Sequence, residues 1–226
     1  MVGNGQRKQI SVSNKSNHSD HDSDHQETGN SDLYALRVLA LKDLLLEKKT
    51  LTRAEIQQEI DNMDARSSAD GARVVARAWV DPEFKVRLLS NPKDAVAELG
   101  YTLSYDQELV VVENADNLHH LVVCTLCSCY PSSLLGRPPD WYKSLAYRSR
   151  AVKDPRGVIA EFGLQLTDEV EVRVLDSTAD VRYMVLPLRP SDTQSLTEQE
   201  LAELVSRDSL IGVGNPRSDR SYTSST

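Results

Sequence analysis

Apolar positions become frequent only after residue 30. The opening stretch, MVGNGQRKQISVSNKSNHSDHDSDHQETGN, has almost none and no periodicity. It cannot offset its ordering entropy by burial, so residues 1–30 read as a disordered His/Asp-rich tail. Beyond it, Ser31 is the expected N-cap of a helix in which Leu33, Leu36, Leu39 or Leu41, and Leu44 recur at helical spacing. In LTRAEIQQEIDNM, Thr52 and Glu55 have capping-box spacing, and Ile56 and Ile60 share one face. GARVVARAWVDPEFKVRLLSNPKDAVAELG predicts three short helices. Their breaks are Asp81-Pro82 and Asn91-Pro92, a capping side chain followed by proline at the first helical position, with Gly100 as terminator. Residues 31–100 thus form a helical N-terminal segment, whose apolar face serves the core or a partner chain.

From about Tyr101 the period shortens. ELVVVEN and HLVVCT are β-rich runs on either side of the turn region Ala115-Asp116-Asn117. EVEVRVLD, from Glu169 to Asp176, and VRYMVLP, from Val181 to Pro187, alternate with period two around STAD, which predicts a hairpin. Short helices are expected between these pairs, in PPDWYKSLAYRSRAVKDPRGVIAEFG. Another is expected in TEQELAELVSRDS, with a capping box at Thr197 and Glu200. The fold class is therefore α+β: a helical segment, then a layered α/β domain over 101–213 with antiparallel strand pairs, and a flexible C-terminal tail over 214–226. There are no repeats and no Gly-rich phosphate loop.

Composition narrows the classes of function. Of 226 residues, 39% are hydrophobic, which is enough for one core, and the formal net charge of −8 argues against nucleic acid. No apolar run reaches the length of a membrane span and no signal peptide is evident, so a soluble, cytoplasmic protein is expected. His18, His21 and His25, interleaved with Asp20, Asp22 and Asp24, read either as a weak metal-collecting tract or as a solvated polar tail.

The chemistry concentrates in HHLVVCTLCSCYP, which holds all 3 cysteines of the chain: Cys124, Cys127 and Cys129. In a reducing compartment such thiols are metal ligands or redox groups before they are disulfides. Cys127 and Cys129 are also too close in sequence to bridge without strain. A structural zinc site needs four side-chain ligands, and no second cysteine pair exists; His119 and His120 point to opposite faces of the incoming strand. A thioredoxin-like site would leave Cys129 without a role. A third arrangement is one metal held by all three thiolates from a single turn, its shell completed by backbone groups or water. The amide nitrogens of Ser128 and Cys129 are then the nearest donors, which favours a trivalent transition metal over zinc.

VCTLCSCYP, together with GRPPDWYKSLAYRSRAVKDPRGVIAEFG, closely resembles the metal-bearing α subunit of nitrile hydratases. The likeness extends through ARVVARAWVDPEFKVRLL, VRVLDSTADVRYMVLPLRP and LAELVSRDSLIGV, roughly Gly71 to Val213. The related γ subunit of thiocyanate hydrolase shares the C-x-x-C-S-C core. The resemblance implies a claw around one Co(III) or Fe(III) per subunit, with Cys124, Cys127 and Cys129 as thiolates and Ser128 and Cys129 as deprotonated amides. It implies a sulfinic acid at Cys127 and a sulfenic acid at Cys129. Thr125 stands where cobalt members have Thr and iron members usually Ser, so Co(III) is expected. The implied reaction is hydration of a small nitrile to its amide, with Cys129, Cys127 and Ser128 at the reacting centre. The implied partner is a β subunit, in an αβ heterodimer or α2β2 assembly, whose arginines hydrogen-bond the oxidised sulfurs. A metallation chaperone is a further implied partner.

Two departures from the family pattern bear on substrate. After Tyr130-Pro131, nitrile hydratases commonly have Trp-Pro and thiocyanate hydrolases Arg-Pro, whereas this chain has Ser132-Ser133. Losing a large ring there would widen or polarise the pocket. An ungapped count puts Tyr105 where many members have Gln near the site, and a small shift would bring Gln107 there. Trp141, in PPDWYKS, either contacts substrate or packs under a loop. Arg148 or Arg150 supports the claw loop or the subunit interface, and Asp176 and Arg182 read as a surface or interface ion pair. Three readings thus stand: a cobalt nitrile hydratase α chain, a thiocyanate hydrolase-type metal subunit, and a non-catalytic zinc-binding module.

Overall fold

A computed structural model describes residues 23–103 and 107–218, with side chains from Asp32 onward. The chain divides into two units, residues 1–57 and 58–226. The first contains helix α1 (Ser23–Glu47), which starts ahead of Ser31, so Ser31 lies inside the helix rather than at its cap. Leu33, Leu36, Leu39 and Leu44 are exposed on it. Lys49, at φ 56°, closes the helix, and the Thr50 N–H donates back to the Leu45 carbonyl at 3.0 Å. Helix α2 (Arg53–Ala65) opens on the expected capping box: the Glu55 N–H donates to Thr52 Oγ1 at 3.2 Å, and the Thr52 N–H to Glu55 Oε2 at 2.7 Å.

The second unit carries the core. Helices α3 (Ser68–Val80), α4 (Pro82–Ser90) and α5 (Pro92–Glu98) break where the sequence predicts. Asp81 accepts from the Phe84 N–H at 2.9 Å, Asn91 accepts from the Asp94 N–H, and Gly100 sits at φ 84°. Strands β1 (Glu108–Glu113) and β2 (Leu118–Val123) follow, then α6 (Ser132–Leu135), α7 (Asp140–Lys143), α8 (Leu145–Lys153) and α9 (Pro155–Glu161). Strands β3 (Glu171–Asp176) and β4 (Val181–Leu186) precede α10 (Glu198–Leu204) and α11 (Arg207–Ile211). Thr197 and Glu200 form the second capping box, as expected. No helix among the described residues is long and apolar enough to cross a membrane.

The strand pairing differs from the antiparallel expectation. β1 pairs with β4 and β2 with β3, both in parallel, so the STAD segment does not close a hairpin. Each local reversal does form: Ala115 and Leu118 make one antiparallel bridge, and the Thr178 N–H reaches the Val181 carbonyl at 2.9 Å. The strands then part and exchange partners across the helical excursion between β2 and β3. Period-two alternation reports which face is buried and says nothing of the partner. The informative cue was β2, whose positions from His119 to Val123 are all buried, the pattern of a parallel strand covered on both faces.

The core runs from Val74 and Val75 of α3, through Leu121 and Val123 of β2 and Met184 and Leu186 of β4, to Leu210 and Ile211 of α11. Gly212, at φ 88°, lets the end of α11 touch β2, since a Cβ there would lie 1.8 Å from the His120 carbonyl oxygen.

Candidate metal centre

β2 delivers the chain to Cys124, which is fully buried, and the next regular element starts only at Ser132. The intervening loop is held from outside. Because β2 and β3 run parallel, Val123 stands opposite Asp176, and both strands end at the same edge. The Asp176 carboxylate therefore meets the loop's first residue. It accepts from the Thr125 N–H at 2.9 Å and from Thr125 Oγ1 at 2.5 Å. From α8, Arg148 Nη1 donates to the Cys127 carbonyl at 2.9 Å. From α7, the buried Tyr142 hydroxyl donates to the Cys129 carbonyl at 2.9 Å, and Tyr147 reaches the Val122 carbonyl at 2.6 Å.

So held, the loop folds its three sulfurs to one side. Cys124 Sγ lies 3.4 Å from Cys127 Sγ, Cys127 Sγ lies 3.0 Å from Cys129 Sγ, and all three fall within 4.8 Å of one another. Burial pushes the Cys129 thiol up to about 12; the Cys127 and Cys124 thiols add to this, and the Arg182 charge opposes it. Cys127 is drawn down to about 7, first by hydrogen bonds from Cys129 and Cys124, with the Ser128 and Cys129 backbone adding a smaller lowering. Three such sulfurs cannot all be thiolates without a cation between them. A multivalent ion inverts that logic and deprotonates coordinating thiols outright.

The donor set fits a thiolate-and-amide centre better than a zinc knuckle. Among the described residues, no other His, Cys, Asp or Glu joins the cluster. His119 is committed elsewhere, with Nδ1 3.2 Å from Asn114 Nδ2 and Nε2 2.7 Å from the Gly212 carbonyl. His120 Nδ1 lies 3.1 Å from Asn114 Oδ1. Burial lowers the pKa of both imidazoles, so they are neutral core groups. Among the described residues the cluster therefore has no fourth side-chain donor.

A recess of about 260 Å³ opens at the cluster, lined by Gln107, Tyr130, Ser132, Pro138 and Arg182 together with Cys127, Ser128 and Cys129. Gln107 and Ser132 thus line the recess, while Tyr105 lies outside the described residues. Trp141 does not reach it. Its ring packs edge-on against Phe162 at 4.7 Å and Tyr147 at 4.9 Å, which is the packing role. A larger hollow of about 490 Å³ beside Asp116, His119 and Arg189 contains no cysteine.

Asp176 is the residue that sequence reasoning misplaced. It is the anchor of Thr125, and the signal for it was its register opposite the claw, visible only once β2–β3 pairing is known. Arg148 supports the loop, as one of the two arginines was expected to. Arg150 instead pairs with Glu161 at 2.6 Å. The tyrosine anchors follow a simple rule, since a buried phenol needs an acceptor.

An α+β chain presenting three free thiols from one turn offers a cluster that could hold a metal ion. The sequence matches the family model of nitrile hydratase, alpha chain, over residues 32–214, and the chain belongs to that family. It is 50% identical over 187 residues to the low-molecular-weight cobalt-containing nitrile hydratase subunit alpha of Rhodococcus rhodochrous, covering 80% of this chain and 88% of that one. It is 42% identical to the thiocyanate hydrolase subunit gamma of Thiobacillus thioparus, covering 79% and 78% of the two chains. An Fe-type nitrile hydratase from Comamonas testosteroni Ni1 superimposes with a TM-score of 0.77 at 39% identity, over 86% of this chain and 96% of that one.

Proposed function

We propose that this chain is the α subunit of a cobalt nitrile hydratase, hydrating a nitrile to its amide together with a β subunit. The observation that carries the reading is the sulfur cluster itself: three free thiols whose sulfurs lie within 4.8 Å of one another. A Co(III) held by Cys124, Cys127, Cys129 and the Ser128 and Cys129 nitrogens would supply a Lewis acid that polarises a nitrile or activates water. Thr125 and the cobalt-containing relatives support cobalt over iron. In this reading Cys127 is a sulfinic acid and Cys129 a sulfenic acid, whose oxygen is the candidate nucleophile or base. Burial around Cys129 keeps bulk water from that oxygen. Gln107, Ser132 and Arg182 orient whatever enters the recess.

The β subunit supplies paired donors to the oxidised sulfurs, because anions in a dry site need them. Exposed Leu33, Leu36, Leu39 and Leu44 of α1 support a partner-facing role for residues 31–100, in an αβ or α2β2 assembly. A cytoplasmic location and a metallation chaperone belong to the same reading.

A second reading is a thiocyanate hydrolase-type metal subunit, supported by the 42% identity to that γ chain and by Arg182 in the recess. Ser132, where that class commonly has Arg, weighs against it. Co-expression with the adjacent-gene partner, followed by metal analysis and intact mass, tests both. One cobalt per αβ pair, the mass of the added cysteine oxygens, and turnover of nitriles faster than thiocyanate are expected. One zinc, with no added oxygen, would overturn both readings in favour of a zinc-binding module.

A further inference from the structure

We infer that Arg148 is a positioning residue for metal capture: its guanidinium holds the oxygen of the peptide whose nitrogen is the first backbone donor of the centre. The inference rests on the amide-donor reading proposed above and deepens it.

The connectivity is specific. The carbonyl of Cys127 and the nitrogen of Ser128 are two ends of one planar, conjugated peptide unit. Arg148 Nη1 donates to that oxygen at 2.9 Å. Negative charge placed on the Ser128 nitrogen when it binds a metal as an amidate is shared with the Cys127 oxygen by resonance. A cation hydrogen-bonded to that oxygen stabilises the charged peptide over the neutral one, and such a bond is roughly twice as strong as a neutral pair.

The neighbouring anchors do not duplicate this. Tyr142 brings a neutral phenol to the Cys129 carbonyl, which belongs to the Cys129–Tyr130 peptide and so carries no donor nitrogen of the centre. Asp176 is an acceptor and grips Thr125, ahead of the donor peptides.

Arg148 also keeps its charge uncommitted. Arg150, two residues on in α8, pairs with Glu161 at 2.6 Å, whereas Arg148 has no carboxylate within ion-pair distance among the described residues. Its Nε is buried without an acceptor in the chain.

The test uses the assembled αβ complex, loaded with a limiting supply of cobalt. Cobalt content and the sulfur-to-cobalt charge-transfer absorption are read for Arg148→Gln, Arg148→Lys and Arg150→Gln. Gln keeps a neutral donor, Lys keeps the charge, and Arg150→Gln removes a charge from the same helix away from the claw. Arg148→Gln is expected to take up about tenfold less cobalt, a difference of about 1.4 kcal/mol. Lys should restore most of the loading, Arg150→Gln should match the unsubstituted complex, and KM per loaded site should stay unchanged. Full loading of Arg148→Gln, or equal loss in Lys and Gln, overturns the inference while leaving the function intact. If Arg148→Gln does not assemble, Arg148→Lys decides alone: loading near the unsubstituted level supports the charge role, and a tenfold loss overturns it. Failure of the unsubstituted complex to take up cobalt overturns the underlying reading, and this inference with it.

Discussion

Asp176→Ala should loosen the metal loop without unfolding the protein. The carboxylate accepts two hydrogen bonds from Thr125, at 2.9 Å from the backbone nitrogen and 2.5 Å from Oγ1. Hydrogen bonds to a charged acceptor contribute about 1.5–3 kcal/mol each when shielded. Asp176 is exposed, so solvent screening places the pair together at roughly 2 kcal/mol. That is about a thirtyfold rise in the population of loops released from β3. Global melting should move by only a few degrees in a unit of this size. Hydrogen exchange at the Thr125 amide is the direct assay, and exchange should quicken by about thirtyfold in Asp176→Ala. Cobalt uptake by the αβ complex should fall in parallel. A double-mutant cycle with Thr125→Val isolates the Oγ1 contact, for which a coupling of roughly 1 kcal/mol is expected. Unchanged Thr125 exchange and normal cobalt uptake in Asp176→Ala would refute the anchoring argument, and strict additivity in the cycle would remove the Oγ1 contact from it.

Three further outcomes follow from the same geometry. Gly212→Ala should destabilise the second unit by about 2–4 kcal/mol, because the added Cβ meets the His120 carbonyl oxygen at 1.8 Å in a left-handed backbone; a urea midpoint at wild-type value would contradict this. Burial holds the folded pKa of His119 below its ordinary 6.5, so the unfolded chain binds the extra proton first. The His119 contribution to stability is therefore present above pH 6.5 and lost as pH falls through the lowered folded value; His119→Gln should flatten the acid limb of a melting-temperature profile. Ser132→Trp should fill much of the recess of about 260 Å³, raising KM for aromatic nitriles more than for small aliphatic ones while leaving cobalt content unchanged, which steady-state kinetics and metal analysis together check.

Local signals in the sequence translated directly into structure. Asp81, Asn91 and Thr197 cap the helices they were expected to cap, because capping depends only on a side chain and the three residues after it. The clustering of the three cysteines was equally legible, since they lie within six residues. Strand partners were not, because parallel pairing depends on a crossover of nearly fifty residues and leaves no mark in the period of either strand. Roles that depend on tertiary contacts share that cause. Asp176 read as a surface ion pair only because its strand was assigned to a hairpin with Val181. His119 and His120 lie on a strand buried on both faces, which no local window reveals. Trp141 sits in an aromatic cluster assembled from α7, α8 and the end of α9, which no local window contains.

The parallel register also explains why a loop without regular structure can hold a demanding geometry. Antiparallel pairing of β2 with β3 would carry the end of β3 away from the edge at which β2 ends, and the loop after Val123 would lose its Asp176 anchor. With both strands ending together, Asp176 meets Thr125 on one side while α7 and α8, packed beneath, bring Tyr142 and Arg148 to the Cys129 and Cys127 carbonyls. Each anchor grips backbone or the non-ligating Thr125, so every sulfur stays free for a metal. The anchors therefore fix where the thiols point without competing for them. On the outer side Leu126, between the first two cysteines, is 88% exposed. A large apolar residue exposed to water is kept there at a cost, and burial against the proposed β subunit would remove it. Leu126→Asp should therefore weaken assembly with the β subunit in a pull-down while leaving the isolated chain's melting temperature unchanged; undiminished assembly would place the partner elsewhere.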